Sequence, residues 1–310
     1  MTNASATAPA NATTKSVHEI SIPEIRKNFV ATQEFDLLTA VTGQLLEQGR
    51  HVKTLLLGPA GCGKTTTAEQ VAARLGLPYL HLNCALIREA SQLFGTREVA
   101  DGRTFTRESL FTRVVEEGNA VIMLDEVNRT SQFAMNGLLS VMDGSSPYAE
   151  DLQRNVTVGP NIVFFGACNI GSAYTGTFKM DKALDDRFQR RIEVSYLPED
   201  MEKELLVNAT GISPEAASRL VKIAGRVRQQ FNSGKTYSQD ISTRVLLSAA
   251  EDFAALESIT PGTGHDSLKL TIANRFSEAG GGTSERKAIY EEIDGQFGSW
   301  ATDYEAFAAA

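Results

Sequence analysis

The sequence predicts an α/β fold in which a parallel sheet is followed by a smaller α-helical domain. Continuous apolar runs at residues 51–57, 120–124 and 161–168 are typical of parallel strands that are covered on both faces. Segments with helical spacing separate these runs, and after Pro198 the apolar spacing is helical throughout. The 310 residues, 42% of them hydrophobic, suffice for one large or two ordinary domains.

The loop after the first strand has the sequence of a phosphate-binding loop, Gly58-Pro59-Ala60-Gly61-Cys62-Gly63-Lys64-Thr65. Such a loop presents backbone N–H groups at the positive end of a helix dipole. We expect residues 58–66, including Thr66, to bind ATP, with Lys64 on the β- and γ-phosphates and the Thr65 hydroxyl on Mg²⁺. The alternative is a chance pattern in a glycine-bearing loop, and the flanking strand and helix argue against it.

Two carboxylates follow the apolar run at residues 120–124. Asp125 is expected to hold Mg²⁺ through water, and Glu126 to orient and deprotonate the attacking water. An acidic pair that caps a helix is the alternative interpretation. The phosphate-binding loop about sixty residues earlier favours nucleotide hydrolysis instead.

Two asparagines end predicted strands at the same edge of the sheet. Asn83 ends the strand predicted over residues 78–84, at the edge where open α/β sheets bind ligands. Asn169 follows the strand at residues 161–168, where it could hold the lytic water or the γ-phosphate. Taken alone, an asparagine after a strand is more simply a turn residue.

A hairpin is predicted inside the helical sequence of residues 85–117. Asp101-Gly102 is a hairpin signal, and residues 95–106 interrupt the helical spacing and are expected to project outward. Phe105, beside that turn, is either an anchor for a client or partner or a residue folded onto the base of the hairpin. A second projecting hairpin is predicted within residues 143–160.

The remaining elements are predicted from caps and periodicity. Ser131 caps a helix, residues 191–196 form an edge strand, Ser213-Pro214 begins a helix, and another begins near Ser242. Residues 267–277 and the segment after the glycine triplet at 280–282 are expected to be helical.

Charge and composition limit the function. The net charge is 30 − 38 = −8 and the pI is about 5.2, which argues against nucleic acid as a ligand. Three cysteines without the spacing of a disulfide framework or a zinc site fit a reducing compartment, and four scattered histidines are interpreted as surface or core residues.

Since the sequence lacks a signal peptide and an apolar run of about 18 residues, we expect a cytoplasmic protein.

The order of these motifs resembles that of the AAA+ ATPases. Three segments look like the MoxR group, including its CbbQ and NorQ branch: Asp125-Glu126-Val127-Asn128-Arg129, residues 184–188 (LDDRF), and Ser242-Thr243-Arg244. The two predicted hairpins also match that group's insertions. The resemblance covers residues 20–260. It implies a P-loop AAA+ parallel-sheet domain over residues 17–197 and an α-helical lid over 198–260, with a disordered tail at 1–16 and a C-terminal helical extension at 261–310.

The resemblance also implies roles for single residues. Asn169 corresponds to the first sensor, Arg244 to the second sensor, and Arg187 to the arginine finger that acts on a neighbour's ATP. Arg190 and Arg191 lie close by, and a surface salt bridge is the alternative for Arg187. Asn83 matches the polar switch residue opposite the catalytic glutamate.

Proteins of this group form rings, usually hexamers, and remodel a protein client, typically beside a partner with a von Willebrand A domain. The resemblance therefore implies an ATP-driven protein-remodelling chaperone. One alternative is an AAA+ motor on nucleic acid, favoured by Arg97, Arg103 and Arg107 around the first hairpin. Another is a small-molecule or nucleotide kinase, which would not need Glu126, Asn169, Arg187 and Arg244 together.

Overall fold

The computed structural model describes residues 20–100, 102–169, 181–234, 236–278 and 284–298. The predicted tail at 1–16 and the glycine triplet at 280–282 lie outside these ranges. The strands, in chain order, are β1 (Val52–Gly58), β2 (Tyr79–Asn83), β3 (Gly95–Ala100), β4 (Arg103–Glu108), β5 (Val121–Asp125), β6 (Tyr148–Ala149), β7 (Arg154–Asn155), β8 (Val163–Asn169) and β9 (Arg190–Glu193).

Among the described residues, the main sheet has five strands in the order β2-β5-β8-β1-β9, and all of its neighbours are parallel. This confirms the predicted α/β fold. The register pairs Gly58 with Asn169 and Asn83 with Asp125. The polar residues that end β2, β5 and β8 therefore meet at one edge of the sheet, directly beside the loop after β1.

The central strands are apolar along their whole length because each face of the sheet has its own core. Ile122, Leu124 and Phe164 are buried in the core on one face, while Val121 and Phe165 are buried in the core on the other. Successive side chains of a strand point to opposite faces. Both sets are therefore apolar, which explains the continuous runs in the sequence.

The helices are α1 (Gln33–Glu47), α2 (Lys64–Leu75), α3 (Ala90–Phe94), α4 (Leu110–Glu117), α5 (Gln132–Met142), α6 (Lys182–Arg187), α7 (Glu199–Thr210), α8 (Pro214–Asn232), α9 (Thr243–Ile259), α10 (Leu268–Thr271) and α11 (Glu285–Phe297). The predicted caps are confirmed. Side chains of Ser131, Ser213 and Ser242 accept hydrogen bonds from backbone N–H groups in the first turns of α5, α8 and α9.

Both predicted hairpins are present. β3 and β4 pair in antiparallel register between α3 and α4, and the shorter β6 and β7 pair after α5. They are braced against each other, because Arg154 of β7 binds Glu108 at the end of β4 at 2.7 Å and also binds Glu116 of α4.

Several predicted elements have other bounds in the structure. The edge strand predicted over residues 191–196 runs from Arg190 to Glu193. The strand predicted over residues 161–168 runs from Val163 to Asn169, because Asn161 has a left-handed backbone with φ of 53° that does not continue a strand. Residues 267–277 do not form one helix: α10 ends at Thr271 and a 3₁₀ turn follows at Ala273–Arg275.

The helices after β9 share one apolar core. It includes Leu220 of α8, Leu246 of α9, Leu268 of α10 and Ile289 of α11. The chain on both sides of residue 260 therefore contributes to the same core in the described part of the structure.

Candidate nucleotide site

The loop between β1 and α2 has the backbone of a phosphate cradle. Gly61 and Gly63 have backbone φ angles of 71° and 101°, a region that residues with a Cβ rarely adopt. Gly63 is also the N-cap of α2, so the loop leads into the positive end of that helix. The glycines found from the sequence are therefore required by the conformation of the loop.

The side chain of Lys64 hydrogen-bonds back to its own loop. Its Nζ donates to the carbonyl oxygens of Gly58 at 3.0 Å and Pro59 at 2.7 Å, and to Oδ1 of Asn169 at 2.8 Å. Burial lowers the pKa of the Lys64 ammonium. Its oxygen hydrogen-bond partners are neutral, and the carboxylate of Asp125 acts on the ammonium only as a nearby charge. An anionic phosphate matches this arrangement.

Asp125 connects the loop to the neighbouring strands. Its Oδ2 lies 3.3 Å from the Thr65 hydroxyl and 3.1 Å from Nε2 of His81, and its Oδ1 accepts from the Glu126 N–H at 2.9 Å. The hydrogen bond to His81 is the main cause that holds the pKa of the Asp125 carboxyl below its usual range. The Thr65 and Asp125 oxygens are ligands of the type that Mg²⁺ prefers.

His81 is a surface residue, as interpreted from the sequence, but it also contacts Asp125, which the sequence analysis did not predict. The sequence carried a weak signal for it, since His81 precedes Asn83 by two residues on a strand and so lies on the same face as the predicted site residue. The distance to Asp125 depends on the neighbouring strand, which local sequence does not specify.

Glu126 begins a sharp turn after β5. Its backbone is left-handed, with φ of 51° and ψ of 40°, which is uncommon for a residue other than glycine and is concentrated at functional sites. Its Oε2 lies 3.5 Å from Nη1 of Arg129. Asn83 caps the 3₁₀ turn after β2 through a bond from the Ala85 N–H at 3.0 Å, and its switch role stays a prediction.

Arg244 stands at the start of α9, directly against the nucleotide loop. A Cβ added to Gly61 would lie 2.8 Å from the Ser242 hydroxyl and 3.3 Å from Cβ of Arg244. A cavity of about 620 Å³ runs between these groups; it is lined by the loop, by residues 26–38, by the segment after β9 and by α9. The predicted second sensor and the predicted phosphate loop are thus brought together.

The three arginines near α6 have different surroundings. Arg187 is paired with Asp143, the residue directly after α5, and donates to the Ala183 carbonyl. Arg191 is paired with Asp185 at 2.7 Å. Nη1 of Arg190 is buried without a hydrogen-bond partner among the described residues. Arg187 and Arg191 are exposed enough to reach a second molecule, whereas part of the Arg190 guanidinium is not.

Comparisons with known proteins agree with this geometry. Residues 53–188 match the family described as AAA domain (dynein-related subfamily), and residues 202–255 match CbbQ/NirQ/NorQ C-terminal. A protein of Thauera aromatica named "Putative chaperone BssE" is 31% identical over 228 residues, which are 73% of this chain and 77% of that protein. The chain belongs to the MoxR-like AAA+ ATPases.

More distant similarities extend over most of the chain. An uncharacterized protein of Staphylococcus haemolyticus is 26% identical over 254 residues, 78% of this chain and 90% of that one. Among solved structures, the RuvB Holliday junction branch migration motor of Thermotoga maritima has a TM-score of 0.54 at 14% identity, covering 92% of this chain and 88% of its own. A point mutant of the same RuvB has a TM-score of 0.56, also at 14% identity, covering 87% of this chain and 76% of its own. These two likenesses concern the fold alone.

Membership in this family makes the chain an ATPase with a nucleotide-binding site. Within the described ranges, no helix has the length and apolarity that a membrane crossing would need.

Proposed function

We propose that this MoxR-like ATPase is a protein-remodelling chaperone that works as a closed ring, most simply a hexamer, in the cytoplasm. The observation that supports the ATPase chemistry best is the convergence of Lys64, Thr65, Asp125 and Asn169 at one sheet edge. The named chaperone relative and the projecting hairpins support the remodelling part.

In this proposal, residues 58–66 hold the phosphates of ATP. Lys64 leaves the carbonyl oxygens of its own loop for the β- and γ-phosphate oxygens, a stronger, charge-assisted interaction. Thr65 and Asp125 hold Mg²⁺, which supplies charge neutralisation at the phosphates when bound. Glu126 accepts the proton of the attacking water, and Asn169 orients that water or the γ-phosphate.

The remaining roles concern the ring. Arg244 contacts the phosphates from the lid of its own subunit, and Arg187 contacts the γ-phosphate in the site of the neighbouring subunit. We also propose the division into a sheet domain at 17–197, a lid at 198–260 and a C-terminal extension at 261–310. A von Willebrand A protein encoded beside this gene would support the expected partner.

The second candidate, a motor on nucleic acid, has less support. The likeness to RuvB is at 14% identity and bears on the fold alone. Among the hairpin arginines, Arg107 lies 3.6 Å from Glu98, so part of the local positive charge is compensated. Several-fold stimulation of the ATPase activity by DNA at about 150 mM salt would support the motor over the chaperone.

Native mass spectrometry of Glu126→Gln with Mg²⁺ and ATP tests the proposal. We expect a closed ring that retains ATP, because the phosphate and Mg²⁺ groups are intact while the water-activating group is missing. A wild-type protein that stays monomeric and hydrolyses ATP at the same specific rate at every concentration would contradict the shared site.

A further inference from the structure

Tyr196 lies in the segment between β9 and α7, where the sheet domain passes into the helical region. Its hydroxyl donates to Oδ2 of Asp240 at 2.6 Å and lies 3.4 Å from the carbonyl oxygen of Ala60 in the nucleotide loop. A hydroxyl carries one hydrogen, so the bond to the carboxylate is the stronger one. Tyr196 thus contacts the nucleotide loop and the segment before α9 at the same time.

A nearly buried ion pair supports the ring of Tyr196. Cζ of Arg228 lies 3.9 Å from the ring centroid, and the same guanidinium binds both oxygens of Glu202 at 2.8 and 2.9 Å. The side chains of Glu202 and Arg228 are 1% and 12% exposed. The Arg228 Nε also donates to the carbonyl of Ile241 at 2.7 Å. Because Glu202 and Ile241 hold the planar guanidinium in place, the tyrosine ring packs against a surface of fixed orientation.

The same network reaches the first turn of α9. The hydroxyl of Thr243 donates to Oε1 of Glu202 at 2.6 Å, and Thr243 is the residue before Arg244. On the other side, Gly61 lies against Ser242 so closely that any side chain at position 61 would meet it. The nucleotide loop and residues 240–244 are therefore connected in two ways: Tyr196 bridges Ala60 and Asp240, and Gly61 packs directly against Ser242.

We propose that Tyr196 is a positioning residue that fixes Arg244 relative to the nucleotide loop through its hydroxyl. This inference rests on the proposed role of Arg244 on the phosphates of ATP. Tyr196→Phe removes the hydrogen bond to Asp240 and the contact with Ala60, but keeps an aromatic ring under Arg228. The substitution therefore separates the connection between loop and lid from the packing of the ring.

The test is a double-mutant cycle on the full chain at a concentration where assembly is complete. Steady-state ATPase rates and the affinity for a non-hydrolysable ATP analogue are measured for wild type, Tyr196→Phe, Arg244→Ala and the double variant. We expect Tyr196→Phe to lower kcat about 5-fold, in the range of coupling between contacting groups, and to cause no further loss in the Arg244→Ala background.

Two further variants separate positioning from stability. Asp240→Ala removes the acceptor of the same hydrogen bond, so we expect the same loss as for Tyr196→Phe and no additional loss when the two are combined. Tyr148→Phe, at an exposed tyrosine of β6, should retain the wild-type rate. Thermal unfolding of each variant shows whether a reduced rate comes from an unfolded fraction.

The outcomes distinguish the proposed role of Arg244 on the phosphates from the positioning role of Tyr196. If Arg244→Ala binds and hydrolyses ATP like wild type, the proposed role of Arg244 is wrong and the positioning role is overturned with it. If Arg244→Ala is slow but Tyr196→Phe lowers the rate further by its full factor, the role of Arg244 stands and the positioning role is overturned. A wild-type rate in Tyr196→Phe overturns it as well, whereas loss in the single variant without further loss in the double variant supports it.

Discussion

The guanidinium of Arg187 is bound by the carboxylate of Asp143 in the same chain, with Nη2 2.7 Å from Oδ2 and Nε 3.2 Å from both carboxylate oxygens. Asp143 is the residue directly after α5, so the pair joins the end of α5 to the end of α6. The Arg187 side chain is 28% exposed. The ion pair with Asp143 therefore fixes the position of the proposed arginine finger before a neighbouring subunit binds.

We predict that Arg187→Ala binds ATP and assembles normally but hydrolyses on the order of 10³-fold more slowly, because an arginine finger stabilises the charge of the transition state. Asp143→Ala should slow turnover far less, since an ion pair at the protein surface contributes little. Steady-state ATPase assays and sizing of the ring measure both effects.

Mixing experiments decide whether Arg187 acts across subunits. Arg187→Ala subunits retain Glu126, and Glu126→Gln subunits retain Arg187, so a mixed ring contains complete sites if the arginine acts in trans. Recovery of activity on mixing is expected. Arg191→Ala is the matched control, because Arg191 is also exposed and paired with an aspartate. Equal loss in that control, or no recovery in the mixture, would argue against Arg187 as the finger.

Lys64→Ala and Glu126→Gln should separate binding from hydrolysis. The Lys64 ammonium is buried among neutral acceptors beside the loop, so its removal should abolish measurable ATP binding. Glu126→Gln should bind ATP and lose about 10²-fold or more in turnover, since the general base alone is removed. Glu215→Gln, at an exposed position of α8, should behave like wild type. Near-normal turnover by Glu126→Gln would refute the assignment.

The nucleotide loop and the acidic strand end could be predicted because their information is local. Gly61 and Gly63 need positive φ, and Lys64 and Asp125 sit at fixed positions after β1 and within β5. His81, Tyr196 and the pair of Glu202 with Arg228 could not be predicted in the same way. Their partners lie on other strands and helices, so the contacts depend on strand order and on the placement of the helices after β9.

The pair between Arg154 and Glu116 predicts a pH dependence of stability. The hydrogen bond from Arg154 is the main cause that lowers the pKa of Glu116, and the Thr157 N–H also contributes. A carboxyl whose pKa is lower in the folded state stabilises the fold above its unfolded pKa, and this contribution is lost as the pH falls through the folded pKa.

We therefore expect Glu116→Gln to reduce the free energy of unfolding by about 1 kcal/mol or less at neutral pH. The difference should shrink once the pH falls below the unfolded glutamate pKa of about 4.3, and it should close as the pH falls through the lower folded pKa. Denaturant unfolding at several pH values measures it. Glu117→Gln, at the exposed neighbour on α4, is the control. A difference that persists unchanged at low pH would mean that the side chain stabilises by packing rather than by charge.

The hairpin of β3 and β4 is the proposed contact with a client. Val99 is 72% exposed and Phe105 is 45% exposed. The register places Glu98 opposite Phe105 and Thr104 opposite Val99, so the two apolar side chains lie on opposite faces of the hairpin. Phe105 is thus half exposed rather than buried at the base, and Val99 is an apolar surface residue that the sequence did not single out.

Because the faces differ, single substitutions can show which face binds. We predict that Phe105→Ala leaves the ring and the basal ATPase rate unchanged but abolishes remodelling of the client, since a half-exposed aromatic side chain offers the larger contact area. Val99→Ala should have a smaller effect, and Thr104→Ala should have none. Loss of folding or of the ring in Phe105→Ala would identify it as a packing residue. Normal remodelling by Phe105→Ala together with loss in Val99→Ala would move the contact to the other face.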